Sequence, residues 1–202
     1  MYENKKIIKY KKRVFSLVII FLFINIFCKK EPVIPEKLVK ESVSDFNEFR
    51  KENSSIKLVF LGQDYKELNL KGVNLSSVDL RGSKFISADL RGADFSNANL
   101  SNVNFSSADL RSAKFNGALL NGTIFFQADL RGSSINSSRP VNEINFTKAN
   151  LSGCDFNGIN MSLFTPFMAN MQGARVEKKW QRYLSRFQIQ NFDKIEWIGP
   201  DS

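Results

Sequence analysis

The side chains with chemistry to offer are carboxylates and guanidiniums set at a fixed spacing. Asp89-Leu90-Arg91, Asp109-Leu110-Arg111 and Asp129-Leu130-Arg131 recur every twenty residues, and Asn69-Leu70-Lys71 stands one step ahead of them. Paired carboxylates exchange protons when a cleft holds them together, and a row of guanidiniums grips an anionic polymer or headgroup. The 202-residue chain has no histidine, which removes the usual general base, a Ser-His-Asp arrangement and the commonest metal ligand. Its glycines are spaced as turns and form no GxGxxG phosphate loop. The acids lie along a convex surface, where local turn bonding accounts for them. The chain does not read as an enzyme, and neither a cofactor nor a metal site is expected.

Two surface features stand out. Lys71, Arg91, Arg111 and Arg131 form a candidate anion ladder. Asn69, Asp89, Asp109 and Asp129 run beside it, and this near one-for-one match favours a self-neutralising salt-bridge ladder over anion capture. The second feature is a set of apolar residues at outward positions: Ile86, Phe126 and Phe167 in one column, with Leu119 and Ile124 near by. Clustered exposed apolar side chains point to a partner surface, for another protein or a second copy.

The elements that position these residues follow from one pattern. From Leu70 to Ile135 every fifth residue is Leu, Phe or Ile. A period of five fits neither a lone helix nor a flat strand, and a short fixed period means a solenoid whose units bury their apolar residue by stacking. Two residues before each of these centres the side chains are small or apolar, as in Val73, Ala88, Ala108 and Ala128. Immediately before the centre stand Asp and Asn, and two after it glycine or a small polar residue. That last slot marks a turn favouring positive φ.

Ala88-Asp89-Leu90-Arg91-Gly92, Ala108-Asp109-Leu110-Arg111-Ser112 and Ala128-Asp129-Leu130-Arg131-Gly132 resemble the pentapeptide-repeat family, whose unit reads A(D/N)Lxx. The resemblance covers residues 56–176. It implies an all-β solenoid, a right-handed quadrilateral β-helix with four pentapeptides per coil. At ~4.8 Å per coil, about six coils would stand roughly 29 Å tall. The spacing of twenty between the Ala-Asp-Leu-Arg units supports four sides independently. On this frame Leu faces Leu and aromatic mostly faces aromatic. Some family members are DNA-mimicking topoisomerase-protection proteins, cytosolic and acidic, which is the alternative reading.

Outside the repeats the sequence predicts caps and a leader. Pro140 and Asn145 stand where centres are due, so one extra residue has entered and a loop is expected near 136–145, bulging over Ser137 to Glu143. Within 28–55, Leu38, Val39, Val43, Phe46 and Phe49 predict an amphipathic helix that either covers the first coil or serves as a stalk. At the far end Trp180, Tyr183, Leu184 and Phe187 predict an amphipathic helix within a C-terminal cap over 177–202. Cys154 falls in the inward slot, buried and inert.

Residues 1–27 carry six Lys/Arg against one acid, and Val14 to Phe27 is a largely apolar run, interrupted only by Ser16 and Asn25, too short for an ordinary spanning helix and suited to a signal peptide. Cys28 follows at once. A cysteine at that edge resembles the lipobox of bacterial lipoproteins, although Asn25, Ile26 and Phe27 depart from its usual Leu and small residues. The resemblance implies acylation of Cys28, removal of 1–27 and a lipid anchor in the bacterial cell envelope, outside the cytoplasm. Beyond Phe27 the chain holds 23 Lys/Arg and 19 Asp/Glu, a mild balance that implies no nucleic-acid partner and no acidic mimic.

Overall fold

A computed structural model of the protein describes residues 36–135, 144–156 and 159–199. Each pentapeptide turns one corner. The residue two past the centre takes a left-handed φ, 58° at Ser77, 59° at Asn97 and 68° at Gly72. The amide of Val73 then donates to the Leu70 carbonyl at 3.1 Å and closes the turn. The centre and the residue two before it point inward: Leu70, Val73, Leu75, Val78 and Leu80 are no more than 1 % exposed.

Between turns the backbone has room for one parallel bridge per side. Asn69 bridges Asp89, Asn74 bridges Asp94, Asp79 bridges Asn99 and Lys84 bridges Asn104. Four bridges in twenty residues make a four-sided coil, and each coil hydrogen-bonds to the next. Among the described residues longer pairing is confined to short strands: β1 (Ile144–Asn145) on β2 (Phe164–Thr165), and β3 (Arg175–Glu177) on β4 (Glu196–Ile198), both parallel.

The core holds a pair of aromatic columns beside the buried leucines of the other two sides, such as Leu90 and Leu100. Tyr65, Phe85, Phe105, Phe125 and Phe146 stack with centroids 4.7, 5.2, 5.2 and 5.0 Å apart. Phe95 and Phe115 stack at 5.3 Å from the opposite side. The two columns meet edge to face, at 5.4 Å for Phe95 and Phe105, the geometry that the ring quadrupole prefers.

The register slip shows in the bridges. Ile124 pairs with Asn145 and Ser134 with Asp155, an offset of 21, and Asn150 with Asn170 returns to 20. Of the region expected to bulge near 136–145, Ile144 and Asn145 are strand β1, and residues 136–143 lie outside the described residues. Cys28 and the predicted leader also lie outside them.

The N-terminal helix is two helices, α1 (Glu36–Glu41) and α2 (Val43–Glu52). Ser42 separates them, and its Oγ accepts the Asp45 amide at 3.2 Å to cap α2. Val39, Phe46 and Phe49 are buried, with the Phe46 ring 6.2 Å from Phe60, so the pair covers the first coil. Two side chains of α2 replace a missing rung. The Asn47 oxygen accepts the Asn74 amide at 2.7 Å, as the Val73 carbonyl does for Asp94 one coil later. Arg50 Nη2 donates to the Ser76 carbonyl at 2.6 Å, as the Ser77 amide does to Ser96.

At the C-terminal end the expected helix over Trp180–Phe187 is corrected. A single 3-10 turn at Lys178–Trp180 leads into a short α3 (Gln181–Leu184), of which only Leu184 is fully buried. Pairing then resumes beyond 176: Gln190 bridges Asn170, and β4 pairs with β3 at an offset of 21. A longer helix would have satisfied its own backbone and left these rung groups of the last coil unpaired.

Candidate functional site

The four basic residues of the ladder line one shallow groove together with Gly92 and Ser112. Each guanidinium is already engaged. Arg91 Nε and Nη2 donate to the two oxygens of Asp89, the former at 2.8 Å. Arg111 holds Asp109 at 2.8 and 2.6 Å, and Arg131 holds Asp129 at 2.9 and 2.6 Å. Arg91 also lies 3.6 Å from Asp109 of the next coil. Lys71 differs, because its neighbour Asn69 offers an amide oxygen, which accepts the Lys71 backbone N–H at 3.3 Å.

The same pairing occurs on another side, where Asp79 accepts from Arg81 Nε at 2.9 Å and Nη2 at 2.7 Å. The sequence reading passed over that pair, although Asp79-Leu80-Arg81 carries the same triplet. The wider run of Asp and Asn before each centre has a local cause. Each such side chain accepts the amide two residues on, as Asp94 does from Ser96 and Asn104 from Ser106, both at 2.9 Å.

Hydrogen bonds from Arg91 and Arg111, opposed by partial burial, hold Asp89 and Asp109 below the ordinary carboxylate value of 3.8. The unfolded chain therefore binds more protons below that value, and stability rises with pH through this window. The thermal midpoint is expected to hold from neutral pH to about 4 and to fall as pH drops toward the folded values. Asp109→Asn keeps the turn acceptor, as Asn99 and Asn104 show, and should flatten that fall in an acid thermal-melt series. The shift should be small, because these pairs are partly solvated.

The apolar candidates are brought together only in part. Ile86, Phe126 and Phe167 share one column, their carbonyls accepting from Glu67, Ser107 and Lys148 of the preceding coil. Ser106 and Thr147 occupy the intervening levels. Ile124 lies on the same side, bridged to Asn104 and Asn145, whereas Leu119 belongs to a neighbouring side beside Asn99. Ile86, Leu119, Ile124 and Phe126 are half-buried, and Phe167 is 40 % exposed. Lys148 Nζ sits 5.8 Å from the Phe126 ring centre, within cation–π range. Leu61, 47 % exposed, was missed; it follows the centre Phe60 in a slot that is otherwise mostly polar.

Cys154 is buried and donates to the Leu130 carbonyl at 2.9 Å, and burial pushes its thiol up to about 11, so it is a poor nucleophile at neutral pH. Among the described residues no group of His, Cys, Asp or Glu is placed to hold a metal ion, and no helix is long and apolar enough to cross a membrane.

Comparison with known proteins agrees with the repeat reading. Residues 56–139 match the family described as a pentapeptide repeat region, and residues 142–162 match pentapeptide repeats. No curated protein matches the sequence. Among solved structures, a pentapeptide repeat protein of the Arabidopsis thaliana thylakoid lumen is 24 % identical over 63 % of this chain and 75 % of its own, with a TM-score of 0.42. QnrB1, a plasmid-mediated fluoroquinolone resistance protein, is 20 % identical over 69 % of this chain and 70 % of its own, with a TM-score of 0.33. HetL of the cyanobacterium Nostoc, involved in heterocyst differentiation regulation, is 27 % identical over 65 % and 68 %, with a TM-score of 0.21.

Proposed function

The chain belongs to the pentapeptide-repeat family, whose members generally serve as structural or binding modules, and from that premise we propose that it is an exported, lipid-anchored module of a bacterial cell envelope, without catalysis. The observation that carries the export reading is the succession of Lys5 to Arg13, the apolar run Val14 to Phe27, and Cys28. Acylation at Cys28 would leave the helices and the rod outside the cytoplasm, held by the lipid. The rod then offers its sides for contact with a protein partner or a second copy. No cofactor is invoked, and the engaged Arg–Asp pairs favour a structural ladder over an anion-binding one. A cytosolic DNA mimic is disfavoured by the mildly basic balance beyond Phe27 and by the leader.

Mass spectrometry of the mature N-terminus tests this reading. The expected product starts at an acylated Cys28, and Cys28→Ala should abolish both processing and partition of the mature-size protein into detergent. An intact Met1, or an unchanged mature-size detergent fraction in the variant, overturns it.

A further inference from the structure

We propose that the side bearing Ile86, Ile124, Phe126 and Phe167 lies against the headgroup region of an anionic lipid bilayer. This rests on the reading of Cys28 as a lipid anchor and adds which surface the anchor turns toward the membrane.

The first ground is charge. On the ladder side Arg91, Arg111 and Arg131 each have their own carboxylate, Lys71 standing beside the Asn69 amide instead. On the apolar side, among the described residues, Lys66, Lys84 and Lys148 are exposed and the acids are Asp64 and Glu67 at the N-terminal level, Asp64 being 3.8 Å from Lys66. Lys84 precedes Phe85 and Lys148 sits over Phe126, so ammonium groups flank the half-buried Ile86 and Phe126 on the side that also carries the exposed Phe167. Apolar bodies at the acyl boundary with lysines at the lipid phosphates is the chemistry of an interfacial surface.

The second ground is the tether. Lys40 of α1 lies 5.6 Å from the Tyr65 ring centre, and Tyr65 heads the aromatic column behind this same side. From Cys28 to Glu36 the chain can reach at most about 28 Å. The levels from Tyr65 to Pro166 stack over roughly 24 Å. An acyl group at Cys28 therefore keeps the whole side within reach of the bilayer.

The test uses the full chain in vesicles of phosphatidylcholine and phosphatidylglycerol with brominated acyl chains, which quench tryptophan by contact. Phe126→Trp reports from the apolar side and Ser96→Trp from the opposite one, after subtraction of the signal from Trp180 and Trp197 in the unsubstituted chain. Quenching of Phe126→Trp should exceed that of Ser96→Trp at least twofold. The excess should shrink when phosphatidylglycerol is replaced by phosphatidylcholine, or when Lys84→Glu and Lys148→Glu are added. Flotation of the vesicles scores attachment separately. Protein that does not float overturns the anchor and this proposal with it. Protein that floats with equal quenching at both positions overturns the docking alone, as does a lipid-shielded apolar side that cross-links to a second copy.

Discussion

Phe105→Ala is expected to destabilise the fold by ~3–5 kcal/mol, the range for emptying a packed aromatic site. Four rings surround Phe105: Phe85 and Phe125 stack on it at 5.2 Å each, Phe95 meets it edge-on at 5.4 Å and Phe115 at 6.1 Å. Its chain neighbour Asn104 bridges Lys84 on one side and Ile124 on the other and fixes the backbone between them, so the site cannot collapse without breaking rungs. Ser106→Ala on the same coil is the control. Ser106 is half-buried, not exposed as its outward slot suggested, and its Oγ donates to Asn104 at 2.6 Å. Its loss should cost about 1 kcal/mol or less. Urea unfolding of the two variants decides, and equal losses would mean that the inward and outward slots are wrongly assigned.

Arg50→Met is expected to cost ~2–3 kcal/mol, through a different cause. Arg50 is 6 % exposed, and its guanidinium donates to Ser76 at 2.6 Å and to Ile56 at 3.4 Å. Methionine keeps most of the stem and removes every donor, leaving the Ser76 carbonyl without its rung partner. Burial already pulls the Arg50 pKa down, because the charged guanidinium is desolvated against the first coil. Because coils touch only their neighbours, the damage should stay local. Hydrogen exchange should quicken at the amides of Asn74 and Asp79 and stay unchanged at Asn150. Uniform acceleration along the rod would show that α2 does not act as the terminal rung.

Much of the fold was legible because the repeat encodes it twice, once in the inward Leu, Phe and Ala slots and once in the turn residues. The register slip was legible for the same reason, since one missed centre displaces every later one. The C-terminal end was not. Trp180, Tyr183, Leu184 and Phe187 have helical spacing, yet the carbonyls and amides of the last coil claim Gln190 and β4, a demand that side-chain periodicity does not display. Asn47 and Arg50 were hidden likewise: inside a helical pattern they look like solvated positions, and only the unpaired rung beneath explains them. The Arg–Asp pairing of the ladder was legible because its acids and bases share a triplet, and each of Arg91, Arg111 and Arg131 holds the carboxylate of its own triplet. The apolar candidates were legible as residue types only. Whether Leu119 and Ile124 joined the Phe126 column depended on which of four sides each one fell on.

The alternation of offsets between 20 and 21 has a consequence for descent. One residue is added between Ile135 and Ile144, and the columns before and after it keep their partners, as Asp129–Asn150 and Asn150–Asn170 show. Side identity is thus inherited independently of length. A lineage can gain or lose a residue between Ile135 and Ile144, or a whole coil of twenty, while the Arg–Asp stripe and the Phe126 stripe each stay on their own wall. Selection can then act on one wall as a unit, and kinship among such rods is better traced wall by wall than along the chain.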